Sequence, residues 1–94
     1  MAQPPIDNQY LLDYTAIRDV QERYFQAVDR ADVAGVRACF TGDVEATYHM
    51  RPVMHGLDAM MDQTMLPFFD KLKASQVKVS THFMGNFRIE RLEA

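Results

Sequence analysis

The fold is decided by one stretch, residues 13–32, whose sequence is DYTAIRDVQERYFQAVDRAD. Its apolar side chains recur at steps of three and four residues, at Ile17, Val20, Tyr24, Phe25 and Val28. This spacing predicts an amphipathic helix that is capped by Asp13 or Thr15 and that no glycine or proline interrupts. At about 100° per residue, Asp29 falls about 40° outside Phe25. Asp29 is therefore expected at the margin of the buried face.

A second, shorter helix is predicted directly after the first. Asp32 suits its N-cap, and three apolar side chains are expected to face inward, namely Val33, Val36 and Phe40. Thr41 and Gly42 end this helix. Two helices that fold back on each other are therefore expected at the start of the domain.

Three strands are predicted from the alternation of apolar and polar residues. The first covers residues 44–50, with Tyr48 facing inward and His49 facing outward. A short second strand covers 53–55, and a long third strand covers 77–90. Three strands leave unpaired backbone groups at the edge of a sheet, which further strands, a partner or a second copy must cover.

A third helical pattern lies between the second and the third strand. It follows Gly56, and its apolar side chains are Leu57, Met61, Met65 and Phe68. Pro67 is expected to kink this helix or to end it. The elements then follow the order α-α-β-β-α-β, which indicates an α+β fold with helices grouped against one side of a sheet.

The composition limits the classes of function. The 94 residues include 10 Lys+Arg and 13 Asp+Glu, a net charge of −3, which excludes a basic nucleic-acid binder. Residues 1–12 show no period and are expected to form an N-terminal arm, so the domain is assigned to 13–94. Cys39 has no cysteine to pair with, and no apolar run reaches the ~18 residues of a membrane span. A cytoplasmic protein without a membrane partner is therefore expected.

Four segments carry a resemblance to a known family. They are, in chain order, RYFQAVDRAD (23–32), CFTGDV (39–44), HGLDAM (55–60) and STHFMGN (80–86). Their order and spacing resemble the SnoaL-like branch of the nuclear-transport-factor-2-like superfamily, which includes scytalone dehydratase. The resemblance implies a cone-shaped fold in which a curved sheet packs on the N-terminal helices around a pocket, often in a homodimer. Because the family fold continues with further strands, these residues are expected to form a domain that is truncated at its C-terminus or completed by a partner.

The resemblance also implies a set of site residues. Members similar to scytalone dehydratase use an acid at the end of the first helix, a tyrosine on the first strand and a histidine on the long strand, which match Asp29, Tyr48 and His82. It thus implies cofactor-independent dehydration or isomerisation of a small hydrophobic carbonyl compound. His82 would move the proton, Asp29 would orient the ring and Tyr48 would hold the oxygen. The residues expected to bind the ligand are Tyr24, Val28, Met61, Met65, Met84 and Asn86.

Two departures keep other functions open. Val28 stands where the dehydratase pattern has a tyrosine, and a second catalytic histidine of that family falls on strands beyond Ala94. A non-catalytic module that binds an apolar ligand and a dimerising structural domain therefore remain alternatives.

Single residues have ordinary explanations as well. Strict alternation places His82 on the solvent face of its strand, and Asp29 has Arg30 and Arg37 as candidate ion-pair partners. No metal is expected, because the histidines match no familiar ligand spacing at His49, His55 and His82. Cys39, beside Phe40, is expected to be an inert thiol.

Overall fold

The computed structural model describes residues 3–48, 52–75, 81–85 and 87–90. The elements in chain order are helices α1 (Asn8–Asp29) and α2 (Val33–Arg37), strands β1 (Glu45–Ala46) and β2 (Met54–His55), helix α3 (Leu57–Met60), a π-helical segment (Met61–Met65) and helix α4 (Leu66–Ala74). The predicted α+β class is confirmed. Over the described ranges, none of these helices combines the length and the apolar character that a bilayer span requires.

Helix α1 begins earlier than the apolar pattern predicted. The Asp7 carboxylate accepts a hydrogen bond from the backbone N–H of Tyr10 at 2.9 Å, which makes Asp7 the N-cap. The helix therefore starts at Asn8 rather than at Asp13, and residues 8–12, which were predicted as part of an arm, are helical. The apolar period missed this start because the apolar side chains of the first turns, Leu11 and Leu12, are exposed.

Burial increases along α1 towards its C-terminus. Ile17 was predicted to face inward but is 40% exposed, whereas Ala27 and Val28 are each 5% exposed. Tyr24 and Phe25 lie between these extremes. Only the last two turns of α1 therefore reach the core, because α2 folds back against that end alone.

Helix α2 is capped by Asp32, as predicted, and the Asp32 carboxylate accepts a hydrogen bond from the N–H of Gly35 at 3.0 Å. Two expectations were wrong. The helix ends at Arg37 rather than at Phe40, and Val33 is 37% exposed, whereas Val36 is fully buried. A helix of five residues buries a single side chain, Val36, and the side chain of Val33 at its first position points away from the core.

Strands β1 and β2 pair in antiparallel fashion, with Glu45 opposite His55 and Ala46 opposite Met54. Both were predicted, although each is shorter than the pattern suggested, and residues 49–51 lie outside the described residues. The predicted alternation holds over 44–48, where every second side chain is partly buried, namely Val44, Ala46 and Tyr48.

The third helical pattern forms one continuous stretch with a π turn in its middle. Pro67 has no N–H, and its ring would clash with the carbonyl four residues back in a regular α-helix. The i→i+5 turn over Met61–Met65 directly precedes Pro67 and relieves that conflict. The helix consequently continues to Ala74 instead of ending at the proline.

The π turn also shifts the buried face. The apolar pattern predicted an inward Phe68, but Phe68 is 37% exposed and Phe69 is 2% exposed. A π turn holds about one residue more than an α turn, so two successive steps of four residues, from Met61 to Met65 and on to Phe69, keep these side chains on one buried face. The core beneath this helix consists of Ala27, Val28, Val36, Met60, Met61, Met65 and Phe69.

The long strand predicted over 77–90 is wrong where it can be compared, because residues 81–85 and 87–90 form neither helix nor strand. The remainder of that range, 76–80 and 86, lies outside the described residues. Alternation describes the two faces of an extended segment but does not supply the hydrogen-bonding neighbour that makes it a strand.

The C-terminal segment, described at residues 81–85 and 87–90, instead runs along α1 in the opposite direction. His82 contacts Asp29 at the end of α1, and the ring of Phe87 meets the ring of Tyr14 edge to face, with centroids 4.7 Å apart. Ile89 is 6% exposed. The segment is thus held by side chains of α1, and His82 is brought to the end of that helix where the core lies.

Candidate functional site

A cavity of about 470 Å³ lies beside the end of α1. Tyr24 and Val28 from α1, Tyr48 after β1 and His82 from the C-terminal segment line part of it. The remaining wall is one face of the π segment and α4, formed by Gln63, Thr64, Met65, Pro67, Phe68 and Lys71. Most of these side chains are apolar or uncharged, which suits a ligand with a hydrophobic body.

Asp29 and His82 form the closest polar contact at the edge of this cavity. Oδ1 of Asp29 lies 2.5 Å from Nδ1 of His82, and Oδ2 accepts the backbone N–H of His82 at 2.9 Å. The Asp29 side chain is 16% exposed and the His82 side chain 41% exposed. Both oxygens of one carboxylate therefore fix the ring and the backbone of the same residue.

Phe25 holds the His82 ring from a second direction. The two rings are stacked with their planes 6° apart and their centroids at 5.3 Å. Because Phe25 and Asp29 are four residues apart on a helix, they project to the same side. The first long helix thus supplies both groups that orient the histidine.

Two tyrosine hydroxyls meet on the wall of the cavity. The hydroxyl oxygens of Tyr24 and Tyr48 are 3.4 Å apart, and either one can donate to the other. Burial, together with the hydrogen bond to Tyr48, raises the pKa of Tyr24 well above its usual range. The Tyr24 hydroxyl therefore keeps its proton near neutral pH and remains a hydrogen-bond donor.

The sequence-predicted site residues fall into four groups. The cavity is lined by Tyr24, Val28, Tyr48, Met65 and His82. Asp29 and Met84 line an adjoining cavity of about 230 Å³ on the other side of His82. Met61, predicted to bind the ligand, is 1% exposed in the core and lines neither cavity. Asn86 lies outside the described residues.

The cavity wall on the third helical stretch was missed almost completely. Pro67 and Phe68 lie three and four residues after Thr64, and Lys71 lies four and three residues after them, so the four side chains share one face. The apolar pattern included only Phe68 from this face. The mixed spacing of polar and apolar side chains was the available signal. Phe25 was likewise predicted to be a core residue, and its stacking contact with His82 was not predicted.

The other candidate residues have local partners. Arg37, a predicted partner of Asp29, forms an ion pair with Asp58 at 2.6 Å. Nδ1 of His55 lies 3.4 Å from a carboxylate oxygen of Glu45, and His49 lies outside the described residues. In the part of the chain that the structure describes, the side chains of His, Cys, Asp and Glu form no cluster of three suited to a metal ion.

The cysteine is partly buried inside the helical region. The Cys39 thiol donates a weak hydrogen bond to the carbonyl oxygen of Gly35, at 3.4 Å. This contact is internal to the turn that follows α2.

The fold and the cavity together define an α+β protein that contains a pocket. A family model described as a SnoaL-like domain matches residues 9–93, which is most of the chain, and the protein therefore belongs to the SnoaL-like family. Searches of curated proteins and of solved structures gave no match.

Proposed function

We propose that this protein is a cofactor-independent acid/base enzyme that dehydrates or isomerises a small hydrophobic carbonyl compound. The observation that carries the proposal is the contact between the Asp29 carboxylate and Nδ1 of His82, at the edge of a largely apolar cavity. A histidine oriented in this way is a suitable proton-transfer group.

The Asp29 carboxylate favours one tautomer of the neutral His82 ring. With Nδ1–H donating to Asp29, the neutral ring carries its lone pair on Nε2. Nε2 can then accept a proton from the carbon next to the substrate carbonyl. The nearby carboxylate stabilises the imidazolium that results, and the stacked Phe25 keeps the ring plane in place.

The tyrosine pair suits the other half of this reaction. Removal of the proton moves an electron pair towards the carbonyl oxygen, which becomes an enolate. A hydroxyl from Tyr24 or Tyr48 donates a hydrogen bond to that oxygen and stabilises the developing charge. The imidazolium then returns the proton, either to a different carbon, which completes an isomerisation, or to a departing hydroxyl group, which leaves as water.

The shared first step of both reactions gives the test. A panel of apolar cyclic ketones is incubated with the protein in D₂O, and NMR follows deuterium incorporation next to the carbonyl. We expect exchange with the wild-type protein and a loss of about 10²–10⁴-fold in its rate in His82→Gln. His55→Gln is the matched control, because His55 is exposed and does not line the cavity.

Asp29→Asn tests the role of the Asp29 carboxylate separately from that of His82. It removes the charge that stabilises the imidazolium, so exchange should slow while the histidine remains present. Full exchange in His82→Gln, or equal losses in His82→Gln and His55→Gln, would remove the enzymatic proposal.

A non-catalytic binding module is the second candidate. The observation that favours it is the presence of Val28 and Met65 on the cavity wall, where they offer no proton-transfer group. Saturable binding of the same ketones without deuterium exchange would support this alternative.

A further inference from the structure

Lys71 distinguishes the cavity from a simple apolar pocket. Among the described residues that line the cavity, Lys71 is the only Lys or Arg, and no Asp or Glu stands beside it on the wall. The side chain lies on α4, four residues after Pro67 and three after Phe68. Since residues three and four apart on a helix share a face, Lys71 extends the same face that forms the cavity wall.

Among the described residues, the surroundings of Lys71 give it no carboxylate partner. Its neighbours on the helix surface are Pro67, Phe68, Ala74 and Ser75, none of which carries a charge. Within 3–48, 52–75, 81–85 and 87–90, the structure pairs no carboxylate with the Lys71 ammonium. Asp29, which lies at the adjoining cavity, is engaged by His82.

Lys73 provides a contrast on the same helix. It lies in the same last turn of α4 and complements the helix dipole equally well. However, Lys73 does not line the cavity, and Asp70 stands three residues before it, at the spacing of helix-surface neighbours. A helix-dipole role explains both lysines, but it does not explain why one of them borders an apolar cavity.

An ammonium group next to an apolar ligand loses part of its hydration and gains from a hydrogen-bonded anion. We propose that the cavity selects a hydrophobic carboxylate, and that Lys71 is the residue that recognises its charged end. This inference rests on the proposed function of the cavity as a ligand site and deepens it, since the substrate becomes a hydrophobic keto acid.

Binding of two matched probes tests the selection without any turnover. Naphthalene-2-carboxylate and naphthalene-2-carboxamide share one ring system and differ in charge. Calorimetric titration of the wild-type protein should show tighter binding of the carboxylate. In Lys71→Met, we expect the Kd of the carboxylate to rise about tenfold while the Kd of the amide stays unchanged, because only the charged hydrogen bond is lost. Lys73→Met should behave as the wild-type protein does.

Three outcomes would overturn the inference. They are equal weakening of both probes in Lys71→Met, equal weakening of the carboxylate in Lys71→Met and Lys73→Met, and no binding of either probe to the wild-type protein. His82→Gln separates the inference from the catalytic proposal, because it should keep the preference for the carboxylate. If the protein selects the carboxylate through Lys71 but exchanges no deuterium, the catalytic proposal is contradicted. The inference that the cavity recognises a carboxylate is supported by the same result.

Discussion

The two ends of α1 differ in burial although both carry apolar side chains. Near the N-terminus, Leu11 is 53% exposed and Leu12 is 65% exposed. Near the C-terminus, Ala27 and Val28 are each 5% exposed, and Asp29 meets His82 just beyond them. The difference shows that an apolar side chain is buried only where other elements pack against it, and that the candidate site lies at the end of α1 that reaches the core.

The largest expected effect compares two phenylalanines that differ in burial. Phe69 is 2% exposed beneath the π segment and α4, whereas Phe83 is 94% exposed. Phe69→Ala should lower the free energy of unfolding by about 3–5 kcal/mol, because it removes a buried ring and leaves a cavity. Phe83→Ala should change it by less than about 0.5 kcal/mol. Urea unfolding followed by circular dichroism measures both variants.

Similar losses of unfolding free energy in the two variants would contradict the difference in burial between Phe69 and Phe83. A large loss for Phe83→Ala alone would show that residue 83 packs against another part of the protein or against a second chain.

An intermediate effect is expected for the link between α1 and the C-terminal segment. Asp29→Ala removes two hydrogen bonds to His82, one to the backbone N–H and one to the ring. Hydrogen bonds to charged groups contribute roughly 1.5–3 kcal/mol, so the amide of His82 should exchange with solvent at least about tenfold faster. Hydrogen–deuterium exchange resolved by NMR measures this rate.

Asp19→Ala is the control, because Asp19 pairs with the exposed Arg23 on the same helix. Unchanged exchange at His82 in Asp29→Ala would show that the segment is held by other contacts, such as the stack on Phe25.

The smallest effect compares two helix caps. Asp7 caps α1 at its exposed end, and Asp32 caps α2 next to the fully buried Val36. Asp32→Ala should lower the free energy of unfolding by about 1 kcal/mol, since α2 must form to bury Val36. Asp7→Ala should lower it by less than about 0.5 kcal/mol, because the first turn of α1 can fray locally. Thermal unfolding checks both, and a larger loss for Asp7→Ala would reverse the comparison.

The local parts of the fold were predictable from the sequence. The steps of three and four residues located α1, Asp32 marked the start of α2, and the alternation over 44–48 gave the faces of β1. The errors arose where the outcome depended on residues elsewhere in the chain. Residues 81–85 and 87–90 alternate as a strand does but have no strand assigned, and strict alternation cannot show which element a segment lies against.

In the candidate site, too, local sequence patterns do not predict the contacts between distant residues. Asp29 and His82 are far apart in sequence, and their contact was suggested by the resemblance rather than by spacing. The Tyr24–Tyr48 contact requires the end of α1 to meet the chain after β1, which no local pattern encodes. The catalytic and ligand-binding roles of these residues stay predictions until the exchange and binding experiments are made.

The wide turn over Met61–Met65 has a consequence for how this protein varies. It rotates α4 so that Phe69 enters the interior while Phe68 and Lys71 border the cavity. Deleting one residue there would rotate α4 by about 100° relative to the preceding turns and present a different chemistry to any guest molecule. Specificity in this domain can therefore be reset by a change in helical phase, with no substitution among the side chains that a guest molecule meets.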